Sequence, residues 1–75
     1  MAKSTKITND IRRLRFEASE MTQAELARRI GVTRQTVIAI EQGRYSPSLG
    51  VAFKIAIAFR VSLETVFQYP DVEAN

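Results

Sequence analysis

Between Thr22 and Gly43 the chain reads TQAELARRIGVTRQTVIAIEQG, two helix-length segments joined by little more than Gly31 and Val32. Thr22 and Glu25 stand three apart at the head of the first segment, the spacing of a reciprocal capping box that satisfies free N–H groups at a helix start. Leu26, Ala27 and Ile30 follow on one side, and Gly31 supplies the positive φ that ends the helix. Thr33 caps the second segment, Val37 and Ile40 turn inward, and the helix stops near Gln42 at Gly43. Helices joined this closely must meet at a steep angle, which requires a small residue at the approach, and Ala27 fits. Leu26, Ile30, Val32, Val37 and Ile40 are then the interior of the pair. The arrangement is a helix-turn-helix, whose second helix is lifted off the body of the domain.

The remaining segments are also helical in pattern. Ile7, Ile11, Leu14 and Ala18 step by four, three and four, so a first helix is expected there, with Thr8 or Asn9 as N-cap. YSPS at 45–48 is a turn in which either Ser46 caps with Pro47 at the first helical position, or Ser48 caps directly. A fourth helix follows. It carries Leu49, Ala52, Phe53 and Ala56 on one face, widened by Val51, Ile55, Ile57 and Phe59. Ser62 caps a short fifth helix expected to run to about Gln68, before Pro70. No strand pattern is present, so the expected fold is all-α, a compact five-helix bundle. The divisions are a basic arm at 1–6, the helical domain at 7–69 and a polar tail at 70–75.

Seventy-five residues make one small domain with little room for an enzyme pocket. The chain has no Cys and no His, which excludes disulfides, thiolate metal sites and imidazole catalysis. No catalytic residues, cofactor or metal are expected, and no paired carboxylates stand in an evident pocket. With 45% hydrophobic and 25% charged residues the composition is that of a soluble globular protein. No apolar run approaches the ~20 residues of a membrane span, and the N-terminal stretch lacks the apolar core of a secretion signal, so a cytoplasmic location is expected. Charge is uneven. Residues 1–15 hold Lys3, Lys6, Arg12, Arg13 and Arg15 against Asp10, whereas residues 61–75 hold Glu64, Asp71 and Glu73 with no base. Such a balance suits a basic face for a polyanion, with simply solvated charges as the alternative.

The outer face of the third helix begins with Arg34 and Gln35 and continues to Ile38 and Ala39. Arg bonds guanine O6 and N7 in parallel, Gln does the same at adenine N6 and N7, and small apolar groups meet the thymine methyl. Thr22 and Gln23 stand at the positive end of the second helix, where a phosphate is favoured. Gln42, Arg44 and Tyr45, just past the third helix, are placed to hold a backbone on the other side of a groove.

Over residues 11–69 the sequence resembles the phage-repressor and Cro-like (Xre) helix-turn-helix family, through MTQAELARRIGVTRQTVIAIEQGRYSPSL and the closing FQYP, in a branch of very small bacterial regulators. The resemblance implies a lambda-repressor-like fold, a double-stranded DNA operator as partner, dimeric binding and the third helix in the major groove. Carried over by position, Gln23 touches phosphate with Thr33 as a helper, Arg34 and Gln35 read bases with Thr36 as a helper, and Gln42 and Arg44 hold the backbone. It also implies a structural pair between Arg15 and Glu41. The chain departs from the family at Ser19 and Arg60, where glycine is common, and at Gly50, where relatives often have glutamate.

A single such domain makes few contacts, so a homodimer is expected, through Ile57, Leu63, Val66, Phe67 and Tyr69. The leading functional reading is a sequence-specific transcriptional regulator acting as a repressor. An antitoxin or restriction-control protein that also binds a protein partner, or a protein-interaction module, are the alternatives. No small-molecule ligand or membrane partner is evident.

Overall fold

A computed structural model describes residues 7–69, and the expected basic arm and polar tail lie outside the described residues. The element order is β1 (Thr8–Asn9), α1 (Ile11–Glu17), α2 (Gln23–Ile30), α3 (Arg34–Glu41), α4 (Leu49–Phe59), α5 (Leu63–Val66) and β2 (Phe67–Gln68). Five helices in the expected order enclose one core of Ile11, Leu14, Met21, Leu26, Ala27, Ile30, Val37, Ile40, Ile55, Ala56 and Val66. Among the described residues no helix is long and apolar enough to cross a membrane.

Local chemistry sets the boundaries. Thr22, Thr33, Ser48 and Ser62 each hold extended backbone at an N-cap, and each side chain accepts from the N–H three residues on. Ser48, rather than Ser46, therefore starts α4. The capping box at Thr22 is only half formed. Thr22 accepts from the Glu25 N–H, but the Glu25 carboxylate turns to Arg28 and Arg29 instead of reaching back.

Three helices end in the same way. Gly31, Gly43 and Arg60 all adopt positive φ, and the N–H of the next residue reaches back five positions: Val32 to Ala27, Arg44 to Ala39 and Val61 to Ala56. Arg60, at φ 60°, holds with a Cβ the conformation that its two counterparts hold without one. Left-handed backbone costs an L-residue about 1–2 kcal/mol, part of which glycine returns through its freer unfolded chain. Arg60→Gly is expected to stabilise the domain by about 0.5–1 kcal/mol and to raise the midpoint of thermal unfolding by a few degrees, as measured by circular dichroism.

Three expectations are corrected. The first concerns the chain ends of the domain. α1 begins at Ile11, with Asp10 as N-cap, because Thr8 and Asn9 are drawn into an antiparallel pair with Gln68 and Phe67. α5 accordingly stops at Val66 and does not run to Gln68. The Asp10 N–H donates to the Val66 carbonyl at 2.9 Å, continuing the pairing. A two-residue strand is too short to show alternation.

The second correction is the orientation of α4. Ala52, Ile55 and Ala56 are buried, while Leu49, Phe53 and Ile57, one turn apart from each other, stand exposed. The apolar surface of this helix goes most of the way round, so spacing alone did not fix which stripe faces the core. Third, Val66, expected on a dimer surface, is completely buried and belongs to the core. Phe67 is half-buried and packs against that core.

Asn9 has a role that its place in a strand does not suggest. Its Oδ1 accepts from the Ile11 N–H at 3.1 Å, and its Nδ2 donates to the carbonyls of Ile40 at 3.0 Å and Glu41 at 3.4 Å. One amide thus serves a free donor at the head of α1 and free acceptors at the end of α3. Asn9→Ala removes both and is expected to cost about 1–3 kcal/mol of stability in denaturant unfolding. Asn9→Asp places an anion against the α3 carbonyls and should cost more.

Candidate nucleic-acid interface

The first turn of α3 is held by its cap and then left open. The Thr33 hydroxyl accepts from the Thr36 N–H at 3.1 Å and lies 2.9 Å from the Thr36 hydroxyl. Both threonine side chains are thereby engaged in capping the start of the helix. Arg34 and Gln35 are exposed, and neither side chain makes a hydrogen bond or ion pair among the described residues. Ile38 and Ala39 are half-buried on the flank. Of the five residues expected to read bases, Arg34 and Gln35 therefore project with free polar ends, while Thr36 serves the cap.

Behind this turn, one partly buried cluster binds three helices. The Glu41 carboxylate accepts from Arg15 Nε at 2.6 Å and Nη2 at 3.2 Å, and from Gln23 Nε2 at 3.2 Å. Arg15 Nη1 also donates to the Met21 carbonyl at 2.8 Å. The Arg15 and Glu41 side chains are only 15% and 9% exposed. This cluster fixes the start of α2 and the end of α3 against α1, so that the two edges of the exposed face keep their spacing. Gln23, expected to touch phosphate, has one end of its amide committed to Glu41, which orients the group at the helix start beside Thr22.

Past α3, Gln42, Arg44 and Tyr45 are exposed, and Arg44 Nε donates to Gln42 Oε1 at 2.8 Å. Thr22, Gln23, Arg34 and Gln42 line one broad cleft between α1 and the paired helices. Gln35, Arg44 and Tyr45 lie outside it. Among the other residues lining this cleft are Arg12, counted in the sequence only toward the basic balance of residues 1–15, and Phe16, neither of them an expected site residue.

Charge on this side is sorted by pairing. Arg13 reaches Asp10 and Glu17, and these bonds, that to Asp10 foremost, raise its pKa still further. Arg28 and Arg29 share Glu25, whose carboxyl is held below the usual range first by the Arg29 hydrogen bond and then by the charge of Arg28. Arg12 and Arg34 have no ion pair among the described residues.

Ile57 and Tyr69 are exposed and Leu63 is half-buried. Leu49, Phe53 and Ile57, four residues apart in turn, form an exposed apolar stripe along α4.

Residues 11–66 match the model of a helix-turn-helix family. The chain is 57% identical over 53 residues to an uncharacterised HTH-type transcriptional regulator of Methanocaldococcus jannaschii, a stretch covering 71% of this chain and 80% of the relative. A regulator of the same description from Archaeoglobus fulgidus is 47% identical over 53 residues, or 71% of this chain and 75% of that protein. The Bacillus subtilis HTH-type regulator YgzD, also uncharacterised, is 54% identical over 46 residues, 61% of this chain and 70% of the relative.

Proposed function

The chain belongs to the helix-turn-helix family of DNA-binding transcriptional regulators, and from that premise we propose that it is a repressor that reads an operator as a homodimer, with α3 in the major groove. The observation that carries this reading is the first turn of α3, where a capped helix start presents Arg34 and Gln35 with no internal partner. Those two side chains have the donor and acceptor patterns of guanine and adenine edges. Phosphates on one side of the groove meet Thr22 and Gln23 at the head of α2, with Thr33 beside them. On the other side they meet Gln42, Arg44 and Tyr45. Such contacts set register and orientation, while the bases set sequence preference.

Two copies related by a two-fold axis would place two recognition helices about one helical turn of DNA apart, roughly 34 Å. The exposed stripe of Leu49, Phe53 and Ile57, with Tyr69, Leu63 and the uncovered part of Phe67, supports self-association, since contiguous exposed apolar area marks an interaction surface. Occupying a promoter blocks it without any further surface, which is the basis for repression.

The test is selection of bound duplexes from a random pool, followed by binding of the winner at two salt concentrations. The expected winner is a palindrome with half-sites about ten base pairs apart, bound more weakly as salt rises. Sequence-blind binding that vanishes at physiological salt, or sedimentation as a monomer on the selected duplex, would overturn the reading and turn the search to a protein partner.

A further inference from the structure

We propose that Arg12 on α1 is a phosphate-holding residue that carries the DNA footprint beyond the helix-turn-helix, an inference that rests on the DNA-binding reading above. The described arginines fall into two sets. Arg13, Arg15, Arg28 and Arg29 each face a carboxylate. Arg12, Arg34 and Arg60 face none among the described residues, and Arg44 holds only the neutral Gln42.

Arg12 and Arg34 line the same cleft, together with Thr22 and Gln23. Neither guanidinium has an ion pair among the described residues that an incoming anion would have to displace. Three carboxylates also line the cleft: Glu41 is held by Arg15 and Gln23, Asp10 is held by Arg13, and the exposed Glu20, on the connection between α1 and α2, makes no ion pair with Arg12 or Arg34.

The two margins of the exposed face would otherwise be unequal. Beyond α3 the backbone-holding group includes a cation, Arg44. At the head of α2 it consists of Thr22 and Gln23, both neutral. Arg12 and Arg13 are both exposed cations lining the cleft on that side, but Arg13 is spent on Asp10 and Glu17, so Arg12 supplies the missing charge. Its spacing in IRRLR explains why it is available. Asp10 and Glu17 stand at helical distance from Arg13, whereas the residues three and four away from Arg12 are Thr8, Asn9, Arg15 and Phe16, none of them acidic.

The experiment is a salt titration of binding to the selected operator and to an unrelated duplex, for the wild type and for Arg12→Gln, Arg12→Lys, Arg13→Gln and Lys54→Gln. Lys54 lies on α4 and lines a separate depression with Arg28 and Ile57. Loss of one phosphate contact lowers the slope of log K against log salt by about 1, or about 2 for two protomers on one operator. Arg12→Gln should show that drop on both duplexes, and Arg12→Lys should keep the wild-type slope. Arg13→Gln and Lys54→Gln remove the same formal charge and should leave the slope unchanged. A wild-type slope in Arg12→Gln, or an equal drop in Lys54→Gln, would overturn the inference while the DNA-binding reading stands. A wild type that binds neither duplex would overturn both.

Discussion

Glu41→Ala is expected to lower the stability of the domain by about 2–3 kcal/mol, the cost of leaving one member of a largely buried pair without its partner. That is somewhat less than for a fully buried pair, because the Arg15 and Glu41 side chains remain 15% and 9% exposed. At roughly 0.05–0.15 kcal/mol per residue, a chain of this size has only about 4–11 kcal/mol in all. The substitution leaves the Arg15 guanidinium, largely shielded from water, with the Met21 carbonyl alone. It also frees Gln23 from the head of α2. Arg15→Met keeps much of the side-chain volume but strands the Glu41 carboxylate on the Gln23 amide, and should cost a similar amount. The double variant Arg15→Met/Glu41→Leu should be closer to the wild type than either single one, because two uncharged side chains need no partner. Urea unfolding of the four proteins closes the cycle. Strictly additive effects, or single effects below about 1 kcal/mol, would mean that the pair behaves as an exposed one.

Glu41 also shows where sequence reading reaches its limit. The caps and glycines that bound α2 and α3 act within four residues of themselves, so the helix-turn-helix was legible from spacing. Arg60 stood out only through the family resemblance, as a non-glycine where glycine is common, and its backbone is left-handed. The Arg15–Glu41 pair joins residues 26 apart and came only through resemblance to a family. The pairing of β1 with β2 joins the two ends of the described chain, and nothing local in Thr8, Asn9, Phe67 or Gln68 announces it. Asn9 was read as a possible cap and does accept from the Ile11 N–H, but its bonds to the end of α3 are tertiary. On α4 the difficulty was surplus. With apolar residues on most sides, the pattern admitted two stripes, and packing against α2 and α5 buried Ala52, Ile55 and Ala56 rather than Leu49 and Phe53. Arg12 counts in the basic balance of residues 1–15, but that balance does not single it out from Arg13 and Arg15. Its signal is the absence of an acid at helical spacing, which stands out only once Arg13 is seen to have two.

Arg34→Ala is expected to cost about 1–3 kcal/mol at each half-site, about 2–6 kcal/mol for a dimer on its selected operator, and almost nothing on unrelated DNA. Such a loss separates base reading from charge. Arg34 is exposed and has no internal partner, so its removal leaves the fold intact and a fall in affinity reports the interface alone. Gln35→Ala should weaken preference at a different base pair, since neighbouring residues at the head of a helix reach successive steps of the groove. Arg44→Ala gives the contrast. It removes a proposed backbone contact, so binding should weaken by the same factor on every sequence and the salt slope should fall. Binding of each variant to the selected duplex and to duplexes changed one base pair at a time distinguishes these patterns. If Arg34→Ala weakened all duplexes equally, Arg34 would be a phosphate ligand like Arg44. The reading turn of α3 would then lie further along the helix, at Ile38 and Ala39, whose half-buried side chains offer a thymine methyl far less than a bidentate bond offers guanine.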